Sequence, residues 1–200
     1  MRLLKSPLLP IILMLFLFGI STKSYAVDGE KYVVNKASAE SFPLASKGKI
    51  ASILVSATDF SGVLKVAGHL QNDLFKVTNV HPKQINSISE ATDYVVIIGT
   101  LGKSEIIDQL VREGKIDASQ LKGKWEKFTT QIVNNPSKGI KKALVIAGSD
   151  KRGTIYGMYD LSNQIGISPW YFWADVPVKK QSELHVLGGI HSNGEPKVKY

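Results

Sequence analysis

Three short apolar runs constrain this chain most: Ala51-Ser-Ile-Leu-Val55, Tyr94-Val-Val-Ile-Ile98 and Ala143-Leu-Val-Ile-Ala147. Each is rich in β-branched or aliphatic residues, is bounded by polar or glycine-containing turns, and is too short for a helix, so each reads as a buried strand. Helical spacing follows each one. Val63, Val66, Ala67, Leu70 and Leu74 recur every three or four positions after the first run. Ile106, Ile107, Leu110 and Val111 follow the second, behind Ser104 and Glu105, which suit a helix N-terminus. After the third, Gly153 to Ile165 forms a helix that turns Ile155, Met158, Tyr159 and either Leu161 or Ile165 to the core; Gly166 stops it and Pro169 forbids a restart. Buried strands alternating with amphipathic helices predict an α/β fold, a mixed β-sheet flanked by helices. The sheet is mixed because Trp125 to Val133 alternates like a half-buried strand and meets Ala143–Ala147 through the hairpin-like loop Asn134–Gly139.

The remaining segments are shorter. Tyr32–Val34 reads as an edge strand, and Phe75–Thr78 as the start of a further strand. From Gly188 the chain turns polar and loop-like as far as Pro196, and Lys197–Tyr200 resembles the first residues of another strand. There is no internal repeat and no low-complexity segment.

The first residues are expected to lie outside the fold. Met1–Lys5 is short and basic, Leu8 to Ile20 is almost wholly apolar, and Ser24-Tyr-Ala26 places small residues at the −3 and −1 positions of a cleavage site. This is the pattern of a secretory signal peptide cut after Ala26, with a secreted or periplasmic product; an uncleaved anchor is the alternative. The chain has no cysteine, so disulfides and cysteine-ligated metals are excluded and the fold must rest on its core. Losing Arg2, Lys5 and Lys23 with the leader leaves 22 of the 25 basic residues against 17 acidic ones, a net charge of about +5. The lysines are scattered, and no arginine stripe with interleaved aromatics appears, so a nucleic-acid partner is not expected. A weak attraction to acidic polysaccharides is.

Two segments carry the candidate chemistry. Gly148-Ser-Asp-Lys-Arg-Gly153 joins the third strand to its helix. Ligands bind outside the carboxyl ends of strands in open α/β sheets, and helix N-termini attract anions, so Lys151 and Arg152 suit a carboxylate or phosphate there. The plainer alternative is that Ser149 or Asp150 caps the helix while Gly153 lets it pack close to the sheet. The order of residues is neither a P-loop nor a dinucleotide fingerprint. Trp170-Tyr-Phe-Trp173 is the second segment. It offers either a stacking platform for sugar rings or a plug for a core or an interdomain contact. Asp175 beside it is either a site carboxylate or a turn former before Pro177. The acids form no suggestive pair of the kind glycosidases need, and no Gly-x-Ser-x-Gly elbow is present. His69, His81, His185 and His191 lack metal-ligand spacing, and neither metal nor cofactor is expected.

Gly148-Ser-Asp-Lys-Arg-Gly-Thr-Ile-Tyr-Gly-Met-Tyr-Asp-Leu-Ser162 and Ile165-Gly-Ile-Ser-Pro-Trp-Tyr-Phe-Trp-Ala-Asp-Val-Pro-Val178 together closely resemble the N-terminal domain of family 115 glycoside hydrolases, the xylan α-1,2-glucuronidases. Gly194-Glu-Pro-Lys-Val-Lys-Tyr200 resembles the junction that follows it. The resemblance implies an N-terminal α/β domain of the glucuronidase and hexosaminidase type. It implies a large, multidomain, often dimeric parent that removes 4-O-methyl-glucuronic or glucuronic acid from xylan or glucuronoxylan. In that family the catalytic carboxylates belong mainly to a following (β/α)8 barrel, whose site lies at the carboxyl ends of its own strands. The implied organisation is a leader over 1–26, the α/β domain over 27–190, and the start of a linker to the barrel over 191–200. No catalytic residue is carried over to this chain, which on this reading is inactive alone. Ser149, Asp150, Lys151, Arg152, Trp170, Trp173 and Asp175 are the candidates for substrate binding or barrel contact. A non-catalytic module binding carbohydrate or a partner is the alternative; a small nucleotide-binding protein is disfavoured by the leader and the missing phosphate motifs.

Overall fold

A computed structural model of the chain describes residues 30–171 and 173–198. The leader sequence, Phe172 and the last two residues of the strand-like terminus lie outside the described residues. The elements all belong to one unit that begins at Tyr32.

The larger sheet carries the architecture. Strands β4 (Ser52–Val55), β5 (Gln84–Ile85), β6 (Tyr94–Thr100), β7 (Phe128–Asn134), β8 (Lys142–Gly148) and β10 (Ile190–Ser192) lie in the order β10-β7-β8-β6-β4-β5. β8, β6, β4 and β5 run parallel, with Ile98 opposite Ile146 and Val55 opposite Ile98. β7 pairs antiparallel with β8, Thr130 facing Ile146, and β10 adds antiparallel to β7. The sheet is therefore mixed. Helix α1 (Ser61–Thr78) and helix α3 (Lys151–Gln164) cover one face, and α2 (Glu105–Arg112) the other. Alternation along the strands divides the core accordingly. Ile53, Val55, Val96, Ile98, Leu144 and Ile146 pack with α1 and α3, while Leu54, Val95, Ile97 and Val145 pack with Ile107 and Leu110 of α2. A buried face on both sides explains why these strands read as unbroken apolar runs rather than as alternating ones.

A smaller antiparallel sheet has the order β1-β9-β2-β3, from β1 (Val33–Val34), β2 (Phe42–Ser46), β3 (Lys49–Ile50) and β9 (Leu184–Val186). Phe42, Leu44, Leu184 and Val186 carry its inner face into the same core as α1 and α3.

Several expectations need correction. Phe75–Thr78 is the last turn of α1, because Val77 continues the spacing of Leu70 and Leu74 and is fully buried. Asn79 then closes the helix in the left-handed conformation (φ 61°), its N–H donating to the Phe75 carbonyl. In α3, Tyr159 is 47% exposed, and Gly157 takes the place against the sheet that was assigned to an aromatic ring. A Cβ at Gly157 would lie 2.6 Å from Ile146 and 3.1 Å from Phe128, so only a glycine lets α3 approach this closely. Ser104 precedes α2 without capping it through its side chain, and its buried hydroxyl has no hydrogen-bond partner among the described residues. The stretch after Gly188 contains β10, whose pairing with β7 no local pattern announces.

Candidate functional site

The turn after β8 is built from its own backbone outward. Gly148 ends the strand where any Cβ would sit 2.2 Å from the Thr154 nitrogen. Ser149 Oγ accepts from the Lys127 N–H at 3.0 Å, and the Ser149 N–H donates to the Lys127 carbonyl at 2.8 Å. Asp150 is the helix cap. Its Oδ1 accepts from the Gly153 N–H and its Oδ2 from the Glu126 N–H, both at 2.8 Å. Gly153 packs against the Lys127 carbonyl, leaving no space for a Cβ. Arg152 lies 2.6 Å from Glu126, a carboxylate only 5% exposed that sits on a left-handed residue (φ 52°). Four of the candidate residues, Ser149 to Arg152, are thus brought together. Ser149, Asp150 and Arg152 tie the loop before β7 to the start of α3. Lys151 is exposed.

Beside this turn, between the carboxyl ends of β4 and β6, lies the crevice where helices leave toward opposite faces of the sheet. A carboxylate of the protein itself fills it. Asp59 accepts from the Thr100 N–H at 2.7 Å, from the Thr100 hydroxyl at 2.9 Å and from the Phe60 N–H at 2.7 Å. The Thr100 and Thr154 hydroxyls meet at 2.7 Å, and Thr154 also reaches the Asp150 carbonyl at 3.0 Å. The position that such folds commonly offer to a ligand is here closed by a buried polar chain from α1 to α3. Asp59 stands two residues before α1, and nothing in the local sequence marks it beyond a helix start. Thr100, its partner across the crevice, stands 41 positions away.

The second aromatic segment lies elsewhere. Trp170, Trp173 and Asp175 follow the far end of α3, whose 14 residues span about 21 Å at ~1.5 Å per residue, whereas the Ser149–Arg152 turn stands at its start. Trp170 donates its N–H to Ser168 Oγ, and the Trp173 and Ala174 N–H groups return to the Trp170 carbonyl. Trp170 is 64% exposed and Trp173 85%. Neither plugs the core of the described residues. Asp175 is exposed in the left-handed conformation (φ 48°). The two sets of candidates are therefore not one constellation.

Two further features were not anticipated. A groove of about 600 Å³ runs between the outer faces of α1 and α3 and ends at Ser168–Tyr171. His69, Asn72 and Lys76 line one wall, and Tyr159 and Asn163 the other. The polar spacing 69, 72, 76, opposite the apolar stripe of α1, was the available signal. On another side of α3, the Tyr32 hydroxyl donates to Asp160 Oδ2 at 2.6 Å while the Tyr32 and His191 rings stack 4.0 Å apart. Burial pushes the Asp160 carboxyl above its ordinary range, partly offset by the Tyr32 hydrogen bond and the nearby His191. Burial, and then the charge of Asp160, pushes the Tyr32 hydroxyl well above the ordinary phenol value.

The mixed α/β sheet flanked by helices is similar to a part of a solved glycoside hydrolase. The solved structure that carries the comparison is BtGH115A, a family GH115 4-O-methyl-α-glucuronidase with specificity for decorated arabinogalactans. It is 30% identical with a TM-score of 0.63 over 76% of this chain. This chain spans 18% of the length of that protein. The structure of CpGH84D aligns over 82% of this chain and 23% of its own, at 10% identity and a TM-score of 0.44. No protein-family model and no curated protein matches the chain.

Proposed function

We propose that this chain is the N-terminal α/β domain of an exported glycoside hydrolase that removes glucuronic acid or its 4-O-methyl ether from polysaccharide side branches. The observation that carries the reading is the 30% identity to a GH115 glucuronidase over three-quarters of the chain. The polysaccharide is xylan on the resemblance of the Gly148–Val178 motifs, or a decorated arabinogalactan by analogy with the solved neighbour. In this reading the catalytic carboxylates come from a following barrel, the parent is a homodimer, and the domain alone does not hydrolyse. Trp170, Trp173 and Asp175 meet the barrel or the sugar. Their support is the exposure of two large rings that no part of the described fold covers. The Ser149–Arg152 turn contributes through Lys151, because Arg152 is engaged with Glu126.

The test is to express the protein from the reading frame continued past Tyr200 and to assay uronic acid release from glucuronoxylan and from arabinogalactan. Release by the longer protein, with none from the 200-residue chain, is expected. Trp173→Ala and Asp175→Ala in the longer protein are expected to weaken it. A continued frame without a barrel, or a barrel-bearing protein that releases no uronic acid from either polymer, overturns the reading. Export is tested separately by N-terminal sequencing of the secreted product, expected to begin at Val27. A non-catalytic binding module is the second reading, favoured by the same exposed Trp170 and Trp173.

A further inference from the structure

We propose that the groove between α1 and α3 is a binding site for one or two units of a neutral glycan backbone, apart from the uronic-acid chemistry. Its volume, about 600 Å³, lies within the range of small-ligand pockets. Its walls combine what a pyranose needs. The Tyr159 ring supplies a flat apolar face for the C–H face of a sugar, and Asn72 and Asn163 supply paired donors and acceptors for its hydroxyls. Tyr159 is 47% exposed on the outer face of α3, with its hydroxyl 3.5 Å from His69 Nδ1.

Charge decides between a neutral and an anionic ligand. Lys76 Nζ lies 3.4 Å from Asp73 and 4.6 Å from the centre of the Tyr171 ring. The groove's cation is thus balanced by its own carboxylate. A uronate would face Asp73 as well as Lys76, and gains little. A neutral polyol can donate to Asp73 and accept from Lys76 at once. The groove opens beside Ser168–Tyr171, next to the exposed Trp170, so a chain bound in it continues toward the aromatic segment. Which backbone fills it rests on the function proposed above; the existence of the site does not.

The test is an NMR titration of the ¹⁵N-labelled 200-residue chain with xylotetraose, with a β-1,3-galactotetraose, and with glucuronic acid as the anionic control. One of the neutral oligosaccharides is expected to bind, with shifts at Asn72, Tyr159 and Asn163. Tyr159→Ala is expected to weaken binding about tenfold or more, and Asn72→Ala less, both side chains standing at the surface where truncation leaves the core intact. The inference is overturned by no binding of either neutral oligosaccharide at tens of millimolar. It is equally overturned by binding that both variants leave unchanged, or by binding of glucuronic acid alone. Because this titration involves no hydrolysis, its failure leaves the glycosidase reading standing, and failure of the hydrolysis assay leaves the groove standing.

Discussion

Asp59 and Thr100 are joined twice across the crevice between two parallel strands, through the Thr100 N–H at 2.7 Å and the Thr100 hydroxyl at 2.9 Å. Asp59 is 6% exposed. Removing its carboxylate leaves the buried Thr100 N–H without its acceptor, while the Thr100 hydroxyl keeps only Thr154. Asp59→Ala is expected to cost about 2–4 kcal/mol in urea unfolding. A loss within about 0.5 kcal/mol, the range of ordinary surface changes, contradicts this account of the crevice.

Gly153 and Gly68 both lie in helices and are expected to respond oppositely to alanine. A Cβ at Gly153 would sit 2.2 Å from the Lys127 carbonyl oxygen, a backbone atom that cannot step aside. Gly153→Ala is expected to destabilise by about 1–3 kcal/mol or more. At Gly68 nothing lies within 4 Å of a Cβ, and Gly68→Ala is expected to stabilise by about 0.5–1 kcal/mol. Thermal unfolding of the two variants side by side checks both signs.

Arg152 and Lys151 are neighbours with different duties. Arg152→Ala strands the buried Glu126 carboxylate and is expected to cost about 1–2 kcal/mol, held down by screening because the guanidinium is 46% exposed. Lys151→Ala is expected to change stability by less than about 0.5 kcal/mol. Glu126→Gln added to Arg152→Ala should recover part of the loss. A double variant no more stable than Arg152→Ala refutes the pairing.

Asp160 makes stability fall as pH rises above the ordinary carboxyl value. Its carboxyl is raised above the ordinary 3.8, so the native state holds its proton longer than the unfolded state does. This contribution is complete below pH 3.8 and is lost as pH climbs through the raised native value. Asp160→Asn keeps an acceptor for Tyr32 and removes the titration. The variant should be more stable relative to wild type at pH 7 than at pH 4. A pH-independent difference between the two proteins excludes Asp160 as the source.

The three buried strands and the apolar faces of the helices were legible because each signal is local. Val63, Val66, Ala67, Leu70 and Leu74 are all buried as their spacing requires. Tyr159 was misplaced because helical spacing identifies a face but cannot say how closely the helix approaches the sheet, and Gly157 sets that distance. The β9 and β10 strands were missed because three residues carry too short a period to recognise. Of the candidate site, Asp150 as a cap was readable from its place before a helix. The groove was not, since its walls come from two helices whose polar faces look like ordinary solvated surface until they are set side by side.

By itself the sequence determined the three buried parallel strands and the helices that follow them, the mixed character of the main sheet and the absence of disulfides, all consequences of residue type and of local spacing. The tertiary structure alone decided what fills the crevice, what pairs with Glu126, and that Trp170 and Trp173 stand exposed instead of plugging the core of the described residues. Those outcomes depend on contacts such as Tyr32 with Asp160, 128 positions apart, which form only when burial of the common core brings distant segments together.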